Sequence, residues 1–282
     1  MIIESFDSKV KIEADEKIIE QIANSKFLYD YIPLVELKDG LLSKPSHSAT
    51  IRVRKGDFNL GWEFPKITYT NNKIDHKDII ALAEYCLERL RQEKGLYTIH
   101  ANTTAVNKKG ITIFGPPHSG KTTLSFLVAK ELNGKVIANE RSVFNPKERK
   151  ICGRVTNISL NKYVKEILKQ NFNQIQNLLG EDDVQIAFFM HPYISNKEDI
   201  IKYNHNAALW DVIEQTDCFI RGINRKVRMG KNSFFILPSL DNTKLANRRF
   251  KDISEMLKEV PCYTIRGSYM SIVKSIKEKL YK

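Results

Sequence analysis

The apolar positions change period on either side of a glycine-rich stretch near the middle of the chain. Before it, Ile111, Thr112, Ile113 and Phe114 form an unbroken β-branched and aromatic run, which predicts a buried strand. After it, Leu124, Leu127, Val128 and Leu132 recur at the spacing of one helix face. Further on, 160–179 predicts one long amphipathic helix capped by Ser159, with Tyr163, Val164, Ile167, Leu168, Phe172, Ile175 and Leu178 on its apolar side. Residues 184–190 predict a buried strand running into His191 and Pro192. Shorter patterns predict strands over 135–138, 234–237 and 262–266, strand and turn over 143–155, helices over 207–215 and 243–258, and a final helix at the C-terminal end.

The first 74 residues have a different rhythm. A helix is expected over 15–29, then short strands over 32–37, 50–54, 62–64 and 66–70, separated by turn signals at Asp39-Gly40, Gly56-Asp57 and Gly61. This predicts a small α+β module. A helix follows, opened by Asp75 as N-cap, with Asp78 in its first turn and Gly95 as its stop. Two domains are therefore expected, 1–95 and 96–282. In the second, strands over 96–101 and 103–106 lead through Asn107-Lys108-Lys109-Gly110 into the 111–114 strand. An antiparallel hairpin feeding the glycine stretch departs from doubly wound folds, in which helices separate parallel strands.

The stretch itself reads Gly115, Pro116, Pro117, His118, Ser119, Gly120, Lys121, Thr122, which is G-x-x-x-x-G-K-[ST] between a strand and a helix. In that context backbone N–H groups and the helix dipole converge on phosphate oxygens. Pro116 and Pro117 have no N–H, so the donors run from His118 onward, through Ser119 and Gly120 to Thr123. Lys121 is expected at the β- and γ-phosphates, and the Thr122 hydroxyl on Mg²⁺. His118 is expected to face outward. The partner implied is a nucleoside triphosphate, ATP or GTP.

Composition narrows the picture. At 282 residues and 42% apolar, the chain is long and hydrophobic enough for real cores. No run approaches the about 18 apolar residues of a membrane span, and the first residues lack a basic start with an apolar signal core. Cys86, Cys152, Cys218 and Cys262 form no C-x-x-C pair and read as reduced thiols of a cytoplasmic protein. The net charge of +12 favours acidic partners, but the lysines are scattered. The densest basic stretch, Arg221, Arg225, Lys226, Arg228 and Lys231, has no aromatic interleaving, so nucleic acid is not indicated. An arginine from it is a candidate for binding the phosphate acceptor. No zinc spacing, Ser-His-Asp order or dinucleotide fingerprint competes with the loop.

Several short stretches from Tyr97 onward resemble the HPr-kinase group of P-loop proteins, whose nucleotide fold is related to that of phosphoenolpyruvate carboxykinase. Ile99-His100-Ala101 resembles the family's L-H-[AG] strand, and the hairpin through Gly110 enters the loop as it does there. Gly-Lys-Val-Ile-Ala-Asn-Glu-Arg, 134–141, is similar to a family segment ending in an Asp-Asp pair. Leu237-Pro238 with Asn242, and Val260-Pro261-Cys262-Tyr263, are similar to the tail of kinase-like relatives.

The resemblance implies an α/β fold: an HPr-kinase-like P-loop nucleotide domain of mixed sheet flanked by helices, carrying the small N-terminal α+β module. It further implies an ATP-dependent phosphotransferase acting on a hydroxyl of a small molecule, peptide or protein. His100 would lie beside the transferred phosphate, and Glu140 would join Thr122 on Mg²⁺. At the family's general-base position the chain has Asn139, whose amide cannot take up a proton at neutral pH. Glu140, His100 and His191 remain open as substitutes, and His191 is equally readable as a capping residue before Pro192. The alternative function is a nucleotide-binding regulatory or assembly protein with weak or no turnover. A homo-oligomer is left open.

Overall fold

The computed structural model describes residues 1–38, 47–155, 158, 160, 162–169, 172–222, 226–230 and 233–281. The turn signal Asp39-Gly40, the Ser159 cap, Arg225, Lys231 and the side chain of Phe172 lie outside the described residues. The chain is α/β and divides into two compact units, Met1–Gly95 with Asp217–Ala246, and Leu96–Thr216 with Asn247–Lys282.

The first unit opens with a hairpin that the sequence pattern did not predict, β1 (Ile2–Ser5) and β2 (Ser8–Glu13). Its turn residues Phe6 and Asp7 both have positive φ, 51° and 56°, in the manner of a type I′ turn. Where one helix was expected over 15–29 there are two, α1 (Glu16–Ala23) and α2 (Lys26–Tyr31). Asn24 ends the first and Ser25 caps the second, both residue types that favour helix ends. With β3 (Glu36–Lys38), β4 (Ser48–Arg54), β5 (Asn59–Glu63) and β6 (Lys66–Thr70), the sheet runs β3-β1-β2-β4-β6-β5. Helix α3 (His76–Lys94) is capped by the Asp75 carboxylate on Lys77 N–H and ended by Gly95 at φ 81°. It carries a buried ion cluster, in which Arg91 Nη2 meets Glu84 at 2.7 Å and Glu88 at 2.9 Å.

The second unit begins with β7 (Tyr97–Ile99), β8 (Ala101–Val106) and β9 (Lys109–Phe114). Asn107 and Lys108, at φ 49° and 61°, make the tight turn between β8 and β9. Helix α4 (Lys121–Glu131) follows, then β10 (Lys135–Ala138), β11 (Ser142–Asn145) and β12 (Lys150–Arg154). The long helix expected over 160–179 is two short ones, α5 (Lys162–Leu168) and α6 (Phe172–Gln176). Lys169, left-handed at φ 49°, closes α5 by donating its N–H to Lys165 O. Next come β13 (Glu181–Ile194), longer than the predicted strand at both ends, the unpredicted β14 (Asp199–Lys202), and α7 (His205–Asp217).

The chain then returns to the first unit as a hairpin of β15 (Lys226–Arg228) and β16 (Phe234–Ile236). Residues 217–246 were expected in the nucleotide domain; they pack instead with the first 95 residues. The Tyr85 hydroxyl of α3 lies 2.7 Å from Ile220 O and 2.9 Å from Pro238 O, and accepts the Leu240 N–H at 3.1 Å. Such a return rests on contacts between residues more than a hundred positions apart, which no local pattern encodes. Helix α8 (Thr243–Met256), β17 (Cys262–Gly267) and α9 (Tyr269–Tyr281) complete the chain.

The sheet of the second unit has nine strands, running β10-β8-β9-β13-β12-β11-β7, with β17 on β13 and β14 outside β17. The loop-bearing strand β9 lies antiparallel to β8 and parallel to β13. Alternation along β9 serves both faces: Ile111 and Ile113 pack with Leu124 of α4 and Ile272 of α9, while Phe114 packs with Leu209 of α7 and Ile253 of α8. Among the described residues no helix is long and apolar enough to cross a membrane.

Candidate functional site

The glycine loop leaves β9 at Gly115 and enters α4 at Lys121. Gly115 at φ 134° and Gly120 at φ 89° occupy backbone regions that side chains resist, so both glycines are required by the path of the loop. Gly120 has a second reason: an added Cβ would lie 3.2 Å from Tyr269 Cε1 and 3.3 Å from its hydroxyl. The first intrahelical bond is Leu124 N–H to Gly120 O, so the N–H groups ahead of it are not used by the helix itself. Pro116, Pro117 and His118 are exposed, and His118 takes a positive φ of 64°.

Lys121 is buried, and its ammonium donates to the loop's own carbonyls, Gly115 O at 2.9 Å and Pro116 O at 3.1 Å. Burial lowers its pKa, and the nearby Glu140 carboxylate opposes that shift. A cation held on carbonyl groups inside a loop is poised to exchange them for phosphate oxygens.

The other predicted residues converge on the same loop from two strand ends. His100 stands between β7 and β8, where the chain changes neighbours: β7 pairs with β11, and β8 with β9 and β10. Glu140 follows β10 in the left-handed region at φ 65°, an unusual conformation for a side-chain-bearing residue. His100 Nε2 and Glu140 Oε2 are 2.7 Å apart. That hydrogen bond, more than the charges of His100 and Lys121, holds the Glu140 carboxyl below its ordinary value.

Asn102 of β8, which the sequence reading passed over, ties these groups together. Its side chain is fully buried. Its Oδ1 accepts the Glu140 N–H at 2.9 Å, and its Nδ2 faces Asn139 Oδ1 at 3.0 Å and Thr122 Oγ1 at 3.3 Å. The available signal was an amide inside an otherwise apolar and threonine-rich strand, where Asn is disfavoured. The Asn139 amide thus accepts a hydrogen bond.

Beside the loop is an open cleft of about 400 Å³, lined by His100, Glu140, Thr122, Thr123, Tyr163 and Tyr269 among others. Burial, and after it the neighbouring Tyr163, raises the pKa of the Tyr269 hydroxyl. Sequence periodicity had assigned Tyr163 to a helix's apolar face; it is 59% exposed.

His191 lies on β13, the parallel neighbour of β9, with its ring against Phe114 and Gly115. Arg221 and Arg228 belong to the first unit, where they pair with Asp217 and Asp75. All four cysteines are free thiols. Among the described residues no three His, Cys, Asp or Glu side chains converge as a metal cage.

No protein-family model matches this chain, and no curated protein matches it.

Proposed function

We propose that the chain is an ATP-dependent phosphotransferase of HPr-kinase-like type, moving the γ-phosphate to a hydroxyl of a small molecule, peptide or protein. The observation that carries the reading is the convergence of Lys121, Thr122, His100 and Glu140 on one glycine loop. The entry into the loop from an antiparallel hairpin, within a mixed sheet, also supports this type.

Loop N–H groups and Lys121 bind the β- and γ-phosphates, and their charge favours the transition state more than the ground state. The oxygen donors Thr122 Oγ1 and the exposed Glu140 carboxylate suit Mg²⁺, an ion that keeps waters and substrate oxygens and needs few protein ligands. Mg²⁺ supplies neutralisation of the phosphate charge. His100 orients the Glu140 carboxylate, and Asn102 holds the backbone that carries it.

A second reading, a nucleotide-dependent switch with little turnover, is favoured by one observation: the base position is an amide engaged with Asn102. One experiment separates the two. Purified protein is mixed with Mg²⁺ and γ-labelled ATP, with and without host-cell extract, and Lys121→Ala serves as the blank. Label on a metabolite, peptide or protein supports the kinase. Binding seen as a thermal shift, without transfer or release of label, supports the switch. Equal behaviour of wild type and a folded Lys121→Ala overturns both.

A further inference from the structure

Transfer to a hydroxyl requires a place for its proton, and three of the four candidates at the loop are committed elsewhere. Asn139 is an amide, which cannot take up a proton at neutral pH. Glu140 Oε2 is bonded to His100 Nε2 at 2.7 Å, so one contact engages both groups. His191 differs. A Cβ on Gly115 would lie 2.8 Å from its Cδ2 and 3.0 Å from its Nε2, so the ring presents that edge to the loop. Among the described residues Nε2 has no hydrogen-bond partner.

The other ring nitrogen is anchored. His191 Nδ1 is 3.4 Å from the Tyr203 hydroxyl, which accepts a hydrogen bond from Thr264 Oγ1 at 2.8 Å. With a proton on Nδ1, the Tyr203 oxygen accepts from His191 as well as from Thr264. That tautomer leaves the lone pair on Nε2, facing the loop.

We propose that His191 is the general base of this site, with Tyr203 as the positioning residue at its Nδ1. This rests on the nucleotide reading above. Nε2 takes the proton of the acceptor hydroxyl as that oxygen bonds to the γ-phosphorus. The bond from the γ-phosphorus to the bridging oxygen breaks, and the nucleoside diphosphate leaves with its electron pair. The groups around the ring are Phe114 of β9, Lys121 of α4, Tyr203, Asp211 of α7 and Thr264 of β17. Burial lowers the pKa of His191, Asp211 opposes, and Lys121 adds to the lowering, so the ring is neutral at physiological pH.

The test uses the full chain, with water standing in for the unidentified acceptor. Ring ¹⁵N spectra are recorded from about pH 5 to pH 8, with His191→Gln assigning the resonance. Phosphate release from Mg-ATP is followed over the same range. The expected result is an Nδ1–H tautomer titrating below 6.5, and a matching acid limb in kcat/KM. Asp211→Asn should move that limb to lower pH, because the carboxylate raises the ring's pKa. His191→Gln should lower kcat by about 100-fold or more with KM for ATP unchanged. An Nε2–H tautomer, or an unchanged kcat in His191→Gln with ATP still bound, overturns the base assignment alone. Absence of any ATP-induced thermal shift in wild type overturns the nucleotide reading beneath it.

Discussion

His100 and Glu140, 40 residues apart in the chain, meet through a 2.7 Å contact between Nε2 and Oε2 beside the glycine loop. Neither is held by its own strand. His100 sits in the break between β7 and β8, and Glu140 just beyond β10 in a left-handed conformation. The contact keeps one carboxylate ionised and aimed at the place where the phosphates and Mg²⁺ are proposed to bind. Because the His100 hydrogen bond lowers the Glu140 pKa in the folded state, its stabilisation is present above the ordinary value of 4.5 and is lost as pH falls through the lowered one. The difference in melting temperature between wild type and Glu140→Gln should therefore be full near neutral pH and close below that value. His100→Ala, which removes the orienting partner, should raise the Mg²⁺ needed for nucleotide binding by roughly 10- to 100-fold. Titration of nucleotide binding against Mg²⁺ checks this.

Asn102→Ala should destabilise the second unit by about 1–3 kcal/mol, because it strands the Glu140 N–H that the amide accepts. Chemical denaturation measures the loss. A variant as stable as wild type would show that water replaces the amide at once.

Asn139→Asp probes the base from the other side. The new carboxylate can still accept from Asn102 Nδ2, so the fold should tolerate it. With His191 as base, turnover should rise far less than the roughly 100-fold or more that a missing general base represents. A gain of that size would return the role to position 139.

Gly120→Ala should impair loop and helix together. It places a side chain at φ 89° and a Cβ 3.2 Å from Tyr269 Cε1. The left-handed conformation alone costs about 1–2 kcal/mol. The expected outcome is a lower melting temperature with a weakened ATP-induced shift. Adding Tyr269→Ala should relieve the steric part and leave the backbone part.

Arg91→Met tests the first unit. Glu84 and Glu88 are fully buried, and the substitution removes the guanidinium that both of them contact. Breaking such a cluster by taking one partner away should cost about 3–5 kcal/mol in denaturation of the wild-type-like chain. A loss under about 1 kcal/mol would show that water reaches the carboxylates in solution.

The glycine loop, its flanking strand and helix, and the hairpin before it were legible in the sequence by itself. Each rests on near neighbours: glycines where φ is positive, a two-residue turn at Asn107 and Lys108, and an unbroken apolar run followed by apolar positions at period 3.6. For the same reason the α/β class could be read directly. The tertiary structure alone decided the rest. It joined His100 to Glu140, set Asn102 between Asn139, Thr122 and the Glu140 backbone, and turned His191 toward Gly115. It also sent 217–246 back to the first unit and divided the helices expected over 15–29 and 160–179. Local preference is set by a residue and its neighbours within a turn or two. Which strand lies beside β9, and so which side chains reach the loop, follows from long-range packing of the whole sheet.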